Sequence, residues 1–486
     1  MSQPNSSAAV DGGAGGVHIL VYPFPAPGHI IPLLDLTHLF LTRHLTVTVL
    51  IPPTHLPLLH PLLSRHPSSA VKLLLLSPPD PPHLRLPTVV RSSAELHDPI
   101  LQWFKSHPNP PVAIVSDFFL GWTQDLAETL RKFHSRGSLV LAVHLGVPRV
   151  TFWPSAAFTA SVSNSLWRNL PKSDDPTNEN SLISFPEIPN TPKYPWWQII
   201  PYCRNFNEGD PEHEFLRNCM LANNLSWGVV FNSFTELERV YIDHVKKEMG
   251  HDRVWALGPL LPPPDEVGPT DRGGSSAVPA HEVMTWLDGK ADDSVVYVCF
   301  GSRLGLTSQQ TEVLAAALKQ SGVHFIWCGK AVNQGHGAGD IGLIPDGFED
   351  RVEGRGLIIR GWAPQVAILS HRAVGAFVSH CGWNSVLEGV AAGVLMLAWP
   401  LAADQFTDVK LLVDQLGVAV RVCEGGPKNA PDLDELTRLL AESVSGTRPE
   451  RSRVQKLCDA AWNAVKGGSS TRDLDELVKQ LRELNK

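Results

Sequence analysis

Short apolar runs alternate with stretches of helical periodicity along most of the chain. HILVYPF (18–24) is followed by a Pro-Gly turn, by apolar residues at helical spacing and by the β-branched run LTVTVLIPP. A strand, a helix and a second strand within about 35 residues make a βαβ unit. Further predicted strands of the first half lie at 112–117, 149–153 and 227–232. Strands that alternate with helices form parallel sheets covered on both faces, so the pattern predicts an α/β fold.

A segment without periodicity divides the chain in two. Residues 258–283 are rich in Pro, Gly and Ser, a composition typical of linkers. A second alternating series follows, with predicted strands at 294–300, 323–328, 356–362, 373–380, 394–400 and 417–422. The residues from Asp432 onward have helical periodicity. We expect a ligand in the cleft between two such domains, at the carboxyl ends of their strands.

The predicted organisation is therefore four consecutive segments. They are a disordered tail (1–16), an N-terminal domain (17–257), a linker (258–283) and a C-terminal domain with a helical tail (284–486).

Composition excludes several classes of protein. With 41 Lys and Arg against 49 Asp and Glu among 486 residues, the formal charge is −8, whereas nucleic-acid binders carry a basic face. No apolar run reaches the roughly 20 residues of a membrane helix. Seven scattered cysteines without a CxxC pair are typical of reduced thiols, and the N-terminus lacks a secretory pattern. We expect a cytoplasmic monomer with no nucleic-acid partner and no integral membrane segment.

The segment around His380 predicts an anion-binding site. The apolar run AVGAFVS ends at His380, and the chain then turns through Gly382 into a predicted helix. Asn384 and Ser385 suit the N-cap, and Ser385 with Glu388 fits the capping box S-x-x-E. Free N–H groups at such a helix start favour a phosphate. From these residues alone, simple helix capping remains an alternative.

The wider segment resembles the signature box of the plant secondary-metabolite UDP-dependent glycosyltransferases (family 1). The likeness covers W-A-P-Q (362–365), H-C-G-W-N-S (380–385), Glu388, W-P (399–400) and the closing D-Q (404–405). The resemblance implies the GT-B fold, in which two Rossmann-like domains face each other across a cleft. The C-terminal domain would bind the UDP-sugar and the N-terminal domain the acceptor. HILVYPFPAPGHIIPLLDLTHLF and SDFFLGWTQDLA are most similar to the flavonol and hydroxybenzoate subgroup. Leu395 and Cys299 replace the Pro and Ser that are usual in the family.

The resemblance also implies a role for each donor-site residue. Trp362 would stack on uracil, with the backbone of Ala363 on its edge, and Gln365 and Glu388 would hold the ribose. The diphosphate would be held by His380, Asn384, Ser385 and Ser302, and the sugar by Trp383, Asp404 and Gln405. UDP-glucose is the expected donor substrate, and no tightly bound cofactor is expected.

A candidate catalytic pair lies in the first half. His29 follows Pro-Gly in the turn after the first strand, and Asp117 ends the strand VAIVSD. An acceptor hydroxyl must lose a proton as it attacks the sugar, and imidazole titrates in the right range to take it. A carboxylate on the other ring nitrogen would fix the tautomer. The family uses His and Asp at these positions in this way.

Other candidate sites are weaker. Two Asp-x-Asp sequences, at 432–434 and 473–475, open predicted helices, where acidic residues suit the helix dipole, so we expect no metal. Aromatic residues that could line an acceptor pocket are Phe118, Phe119, Trp153, Trp196 and Trp197.

The sequence predicts an inverting transferase that moves glucose to a hydroxyl of a flavonoid or phenolic acid. Three alternatives remain open: C-glycosylation or extension of an existing sugar, use of UDP-rhamnose or UDP-xylose, and an inactive small-molecule binder.

Overall fold

The computed structural model describes residues 16–81, 84–135, 147–175, 177–262, 272, 276–302, 305–329, 341–352 and 354–485. The predicted tail at 1–16, apart from Gly16, and residues 263–271 and 273–275 of the predicted linker lie outside the described residues. The strands are β1 His18–Tyr22, β2 Thr46–Ile51, β3 Val71–Leu75, β4 Ala113–Asp117, β5 Arg149–Trp153, β6 Leu182–Ser184, β7 Lys193–Pro195, β8 Gly228–Phe231, β9 Val254–Ala256, β10 Val295–Cys299, β11 His324–Gly329, β12 Gly356–Arg360, β13 Val374–Ser379, β14 Leu395–Ala398 and β15 Ala419–Arg421.

Helices connect most of these strands. They are α1 Pro27–Thr42, α2 His60–Arg65, α3 Leu86–Ser93, α4 His97–Ser106, α5 Thr123–Ser135, α6 Ala157–Asn169, α7 Pro201–Arg204, α8 Pro211–Ala222, α9 Thr235–Met249, α10 Ala280–Asp288, α11 Ser308–Gln320, α12 Phe348–Arg351, α13 Gln365–Leu369, α14 Trp383–Ala391, α15 Gln405–Val409, α16 Leu433–Ser443, α17 Pro449–Val465 and α18 Ser469–Glu483. Among the described residues, no helix combines the length and apolar character that a membrane span requires.

The first sheet is parallel, with strand order β3-β2-β1-β4-β5-β8-β9. Its central strands are buried along their whole length, because helices cover both faces. The order reverses between β1 and β4, so the loops after these two strands open the crevice where α/β sheets bind ligands. The strands β3 and β9 were not predicted: β9 has only three residues, and β3 is a partly exposed edge strand.

The second sheet is also parallel, with strand order β12-β11-β10-β13-β14-β15. Its switch point lies between β10 and β13, which precede the Ser302 loop and the His380 turn. The two parallel sheets confirm the predicted α/β architecture. The predicted second-half strands generally extend one or two residues too far, because apolar residues continue past the last ladder hydrogen bond.

The C-terminal helix α18 packs on the first sheet. Leu474, Leu477 and Leu481 are buried in the apolar core that also contains Ile19 of β1. The Asp473 carboxylate accepts a hydrogen bond from the backbone N–H of Ala256 at 2.8 Å. The sequence prediction placed this helix with the second domain, whereas in the structure it joins the two domains.

Candidate active site

His29 and Asp117 meet at the carboxyl edge of the first sheet. The His29 Nδ1 atom lies 2.8 Å from Asp117 Oδ2, and the second carboxylate oxygen accepts the backbone N–H of Phe119 at 3.0 Å. Asp117 is fully buried, while 16% of the His29 side chain is exposed. An ionised carboxylate can only accept hydrogen bonds, so Nδ1 is the ring nitrogen that donates to Asp117, and in the neutral tautomer with this bond Nε2 carries the lone pair.

Local sequence explains why these two side chains converge. Asp117 is the last residue of β4, and β4 lies beside β1 in the sheet. His29 was expected in a turn, but it lies in the first turn of α1, because Pro27 fits the first helical position and starts the helix there. The helix start fixes the His29 backbone, and its N–H donates to Ala26 O at 2.9 Å.

Aromatic rings surround the imidazole. Phe24, Phe118 and Phe119 have ring centroids between 5.3 and 5.8 Å from that of His29. Trp153 stacks beneath Phe118 at 4.1 Å and is 2% exposed, so it supports the wall and does not line the cleft. Of the predicted acceptor residues, only Phe119 is partly exposed beside His29.

Trp196 and Trp197 lie in a one-turn helix between β7 and α7. Trp197 packs edge-on against Phe406 of the second domain, with ring centroids 5.2 Å apart. The neighbouring residues Ile199 and Ile200 line a narrow interdomain pocket that reaches Asp404.

The turn after β13 forms the second half of the site. Helix α14 begins at Trp383 with Gly382 in the extended N-cap conformation, so the predicted N-cap role of Asn384 and Ser385 and the predicted capping box are wrong. The first backbone N–H groups of α14 therefore remain available to a ligand. Burial lowers the pKa of His380 to about 4, so its imidazole is neutral at physiological pH, and Nδ1 has no partner among the described residues.

The two residues that the resemblance assigns to the ribose, Gln365 and Glu388, are in direct contact. Gln365 Nε2 donates to Glu388 Oε2 at 2.6 Å and to Ser385 Oγ at 3.0 Å. The other carboxylate oxygen of Glu388 accepts from Arg272 at 2.6 Å, and Arg272 also pairs with Asp35 of α1 at 2.8 Å. Burial alone would lower the pKa of Arg272, but the two carboxylates outweigh it and raise that pKa. Sequence analysis gave no indication of Arg272, because its partners are distant in sequence.

Two donor-box residues bridge the domains. The indole Nε1 of Trp383 donates to the backbone oxygen of Asn232 at 2.6 Å, and the ring is buried. The side-chain amide of Asn384 donates to the backbone oxygen of Gly28 at 3.0 Å, and Gly28 precedes His29 in the chain. The Trp383 indole is therefore occupied by a contact between the domains.

Asp404 and Gln405 close the box at the start of α15. Burial raises the pKa of Asp404, and a positive charge on His29 would oppose that rise. The Gln405 carbonyl oxygen accepts from the backbone N–H groups of Leu401 and Ala402 at 2.8 and 3.0 Å. The Gln405 oxygen is thus occupied by the backbone, and its amide N–H groups are the part of the side chain that could donate to a ligand.

The remaining residues that the resemblance assigns to the donor site follow strands β12 and β10 of the second sheet. Trp362 and Ala363 follow β12, and the Trp362 carbonyl accepts the backbone N–H of Ala277 at 2.8 Å. Ser302 is exposed beyond β10. Within the described ranges, no group of three or more His, Cys, Asp or Glu side chains is placed to hold a metal ion. The Asp432 carboxylate caps α16.

Comparison with known proteins gives a consistent picture. The sequence profile described as UDP-glucoronosyl and UDP-glucosyl transferase matches residues 253–426. UDP-glycosyltransferase 89B2 of Stevia rebaudiana is 50% identical over 96% of this chain and 98% of its own length. A flavonol 3-O-glucosyltransferase of Arabidopsis thaliana is 48% identical over 96% of both chains. Among solved structures, Arabidopsis thaliana UGT89C1 complexed with UDP-L-rhamnose is similar with a TM-score of 0.75 and 37% identity, over 96% of this chain and 98% of that one.

Proposed function

The chain belongs to the UDP-glucoronosyl and UDP-glucosyl transferase family, with the GT-B fold, and from this premise we propose that it is an inverting glucosyltransferase. It transfers glucose from UDP-glucose to a hydroxyl of a flavonol or a similar phenol, and His29 is the general base. The observation that carries the proposal is the His29–Asp117 pair, whose side chains are 2.8 Å apart.

The proposed base acts through Nε2 of His29. The acceptor hydroxyl donates its proton to this atom as its oxygen attacks the anomeric carbon from the side opposite the diphosphate. Asp117 holds the ring in the productive tautomer and stabilises the imidazolium that forms. A single displacement of an α-linked donor gives a β-glycoside.

The donor half supports the leaving group. The first N–H groups of α14 and the neutral imidazole of His380 donate to the diphosphate, where negative charge grows in the transition state. Trp362 provides a stacking surface for the uracil. Glu388 accepts hydrogen bonds from the ribose hydroxyls. One of its carboxylate oxygens must then bind the ribose in addition to its present partner, Arg272 or Gln365, or in place of it.

The choice of glucose rests on Asp404 and Gln405. The carboxylate accepts two sugar hydroxyls, and the Gln405 amide, with its oxygen fixed by the backbone, donates to a third. In the family this closing Gln usually accompanies UDP-glucose. A relative 48% identical to this chain is named a glucosyltransferase.

The aromatic rings around His29 support the proposed class of acceptor. A flat phenol fits against Phe119 beside His29, and the similarity to a flavonol 3-O-glucosyltransferase supports a flavonol. The small-molecule binder is the less favoured alternative, because the His29–Asp117 pair has the geometry of a working base. C-glycosylation and sugar extension would use the same base and donor site.

The test is a product assay with a donor panel. The protein is incubated with UDP-glucose, UDP-galactose, UDP-rhamnose or UDP-xylose and a set of flavonols and phenolic acids, and products are identified by mass and NMR. His29→Ala should lower turnover by roughly 10²–10⁴-fold. The matched control, His60→Ala, changes an exposed histidine of α2 and should be as active as the wild type. Absence of any glycoside, or a wild type that prefers another donor, would contradict the proposal.

A further inference from the structure

Arg149, the first residue of β5, lies behind the catalytic pair with only 1% of its surface exposed. Its guanidinium makes four hydrogen bonds. Nε donates to Ser116 Oγ at 2.8 Å, and Nη1 donates to Ser226 Oγ at 2.9 Å. Nη2 donates to the Asn223 side-chain oxygen at 3.0 Å and to the backbone oxygen of Asp117 at 3.3 Å. A buried cation this well satisfied is held in one position.

These bonds fix the segment that carries the catalytic carboxylate. Arg149 holds Ser116 by its side chain and Asp117 by its backbone. Asn223, itself bonded to Arg149, donates from Nδ2 to the carbonyl of Phe118 at 2.9 Å. Three consecutive residues at the end of β4 are thus anchored to one side chain and its neighbour. Asp117 can therefore hold the His29 ring in one orientation.

Electrostatics link the same residues. Burial lowers the pKa of Arg149 to about 10, so the group remains charged at neutral pH, and the Asp117 carboxylate helps to stabilise that charge. Cys219 of α8 also faces Arg149, and burial raises the pKa of its thiol to about 12, so it is neutral. Asp404 of the second domain interacts electrostatically with His29 when the imidazole is protonated.

We propose that Arg149 is a positioning residue that balances the charge of Asp117 and so keeps His29 unprotonated and ready to act as a base. The inference rests on the proposed function. With Arg149 charged and Asp117 ionised, the net charge of Arg149, Asp117 and His29 together is zero when the imidazole is neutral. Without the guanidinium, a net charge of zero requires a proton on His29. The proton is favoured because a buried charge without a partner of opposite sign costs free energy.

The test compares pH profiles of kcat/KM for variants of this network. Arg149→Gln removes the charge, whereas the matched Arg149→Lys keeps it and loses the planar fork. Asn223→Asp is nearly isosteric and adds a competing anion 3.0 Å from the Arg149 side chain. The acceptor is a weakly acidic phenol, so that its own ionisation does not overlap with that of His29. UDP affinity by calorimetry and thermal unfolding report the integrity of each variant.

We expect the acidic limb of the kcat/KM profile, where His29 becomes protonated, to move to higher pH by about 0.5 to 1 in Arg149→Gln and Asn223→Asp. The limb should stay in place in Arg149→Lys, although kcat falls. A purely structural role would lower kcat in all three variants and leave the limb unmoved, and that result overturns the inference. If Arg149→Gln does not fold, Asn223→Asp decides. Failure of the proposed function is distinguishable, because the wild type would then form no glycoside or His29→Ala would stay active.

Discussion

Replacing Asp117 by asparagine changes the proposed base without changing its shape. In the wild type, one carboxylate oxygen accepts the Phe119 N–H at 3.0 Å and the other accepts the His29 Nδ1–H at 2.8 Å. The Phe119 N–H requires an acceptor, so it holds the amide oxygen of the asparagine on its own side. The amide N–H₂ must then face His29, whose Nδ1 becomes the acceptor. The ring proton moves to Nε2. In the proposed mechanism this is the atom that has to receive the proton of the phenol.

The wrong tautomer removes general-base catalysis, and this determines how far kcat falls. General-base catalysis contributes roughly 10²–10⁴-fold, so Asp117→Asn should lower kcat by about that factor, or about 2.7–5.5 kcal/mol of transition-state stabilisation. The loss should shrink for phenols of higher acidity, because a phenolate attacks without a base. UDP affinity should stay within about twofold, since Asp117 lies outside the donor half.

The assay is steady-state kinetics with UDP-glucose and a series of phenols of graded acidity. Calorimetry with UDP and thermal unfolding serve as controls for the fold. The reasoning is refuted if Asp117→Asn keeps more than a third of wild-type kcat on a weakly acidic phenol. It is also refuted if the loss is the same for every phenol in the series.

Three further changes test the donor half. Trp362→Ala should weaken UDP and UDP-glucose equally, by about 1–3 kcal/mol of stacking, and calorimetry that shows unchanged UDP affinity would move the uracil elsewhere. Gly301 has φ +74°, and a Cβ there would lie 2.6 Å from His380 Nε2, so Gly301→Ala should lower both the melting temperature and UDP affinity. Gly347→Ala is the matched control, since its φ is +64° with open space around it; a loss of UDP affinity there as large as at Gly301 would exclude the collision as the cause. Gln405→His should reduce the preference for UDP-glucose over UDP-galactose in a competition assay, and an unchanged ratio would show that another residue selects the sugar.

Much of the fold was predictable because its signals are local. A buried parallel strand is a short apolar run, and a helix has its own periodicity, so RVTFW was located to the residue as β5. The residues that the resemblance assigns to the donor site belong largely to one continuous segment, in which a strand, a turn and a helix start follow one another. Their role in binding a donor stays a prediction. Several errors arose where the local signal is short or weak. Gly382, not Asn384 or Ser385, caps α14. The three-residue strand β9 has too little pattern to detect.

The sequence alone determined the two series of alternating strands and helices, because neighbours in the chain specify them. It also offered candidates for the donor site and the base, which stay predictions. Only the tertiary structure decided the contacts between distant segments. It placed Asp117 against a histidine 88 positions away, Arg272 between Asp35 and Glu388, and α18 on the first sheet. These arrangements depend on the order of strands in a sheet and on which buried polar groups find partners. A buried charge such as Arg149 is stable only where the folded chain supplies acceptors from several strands and helices, and one segment read by itself does not specify them.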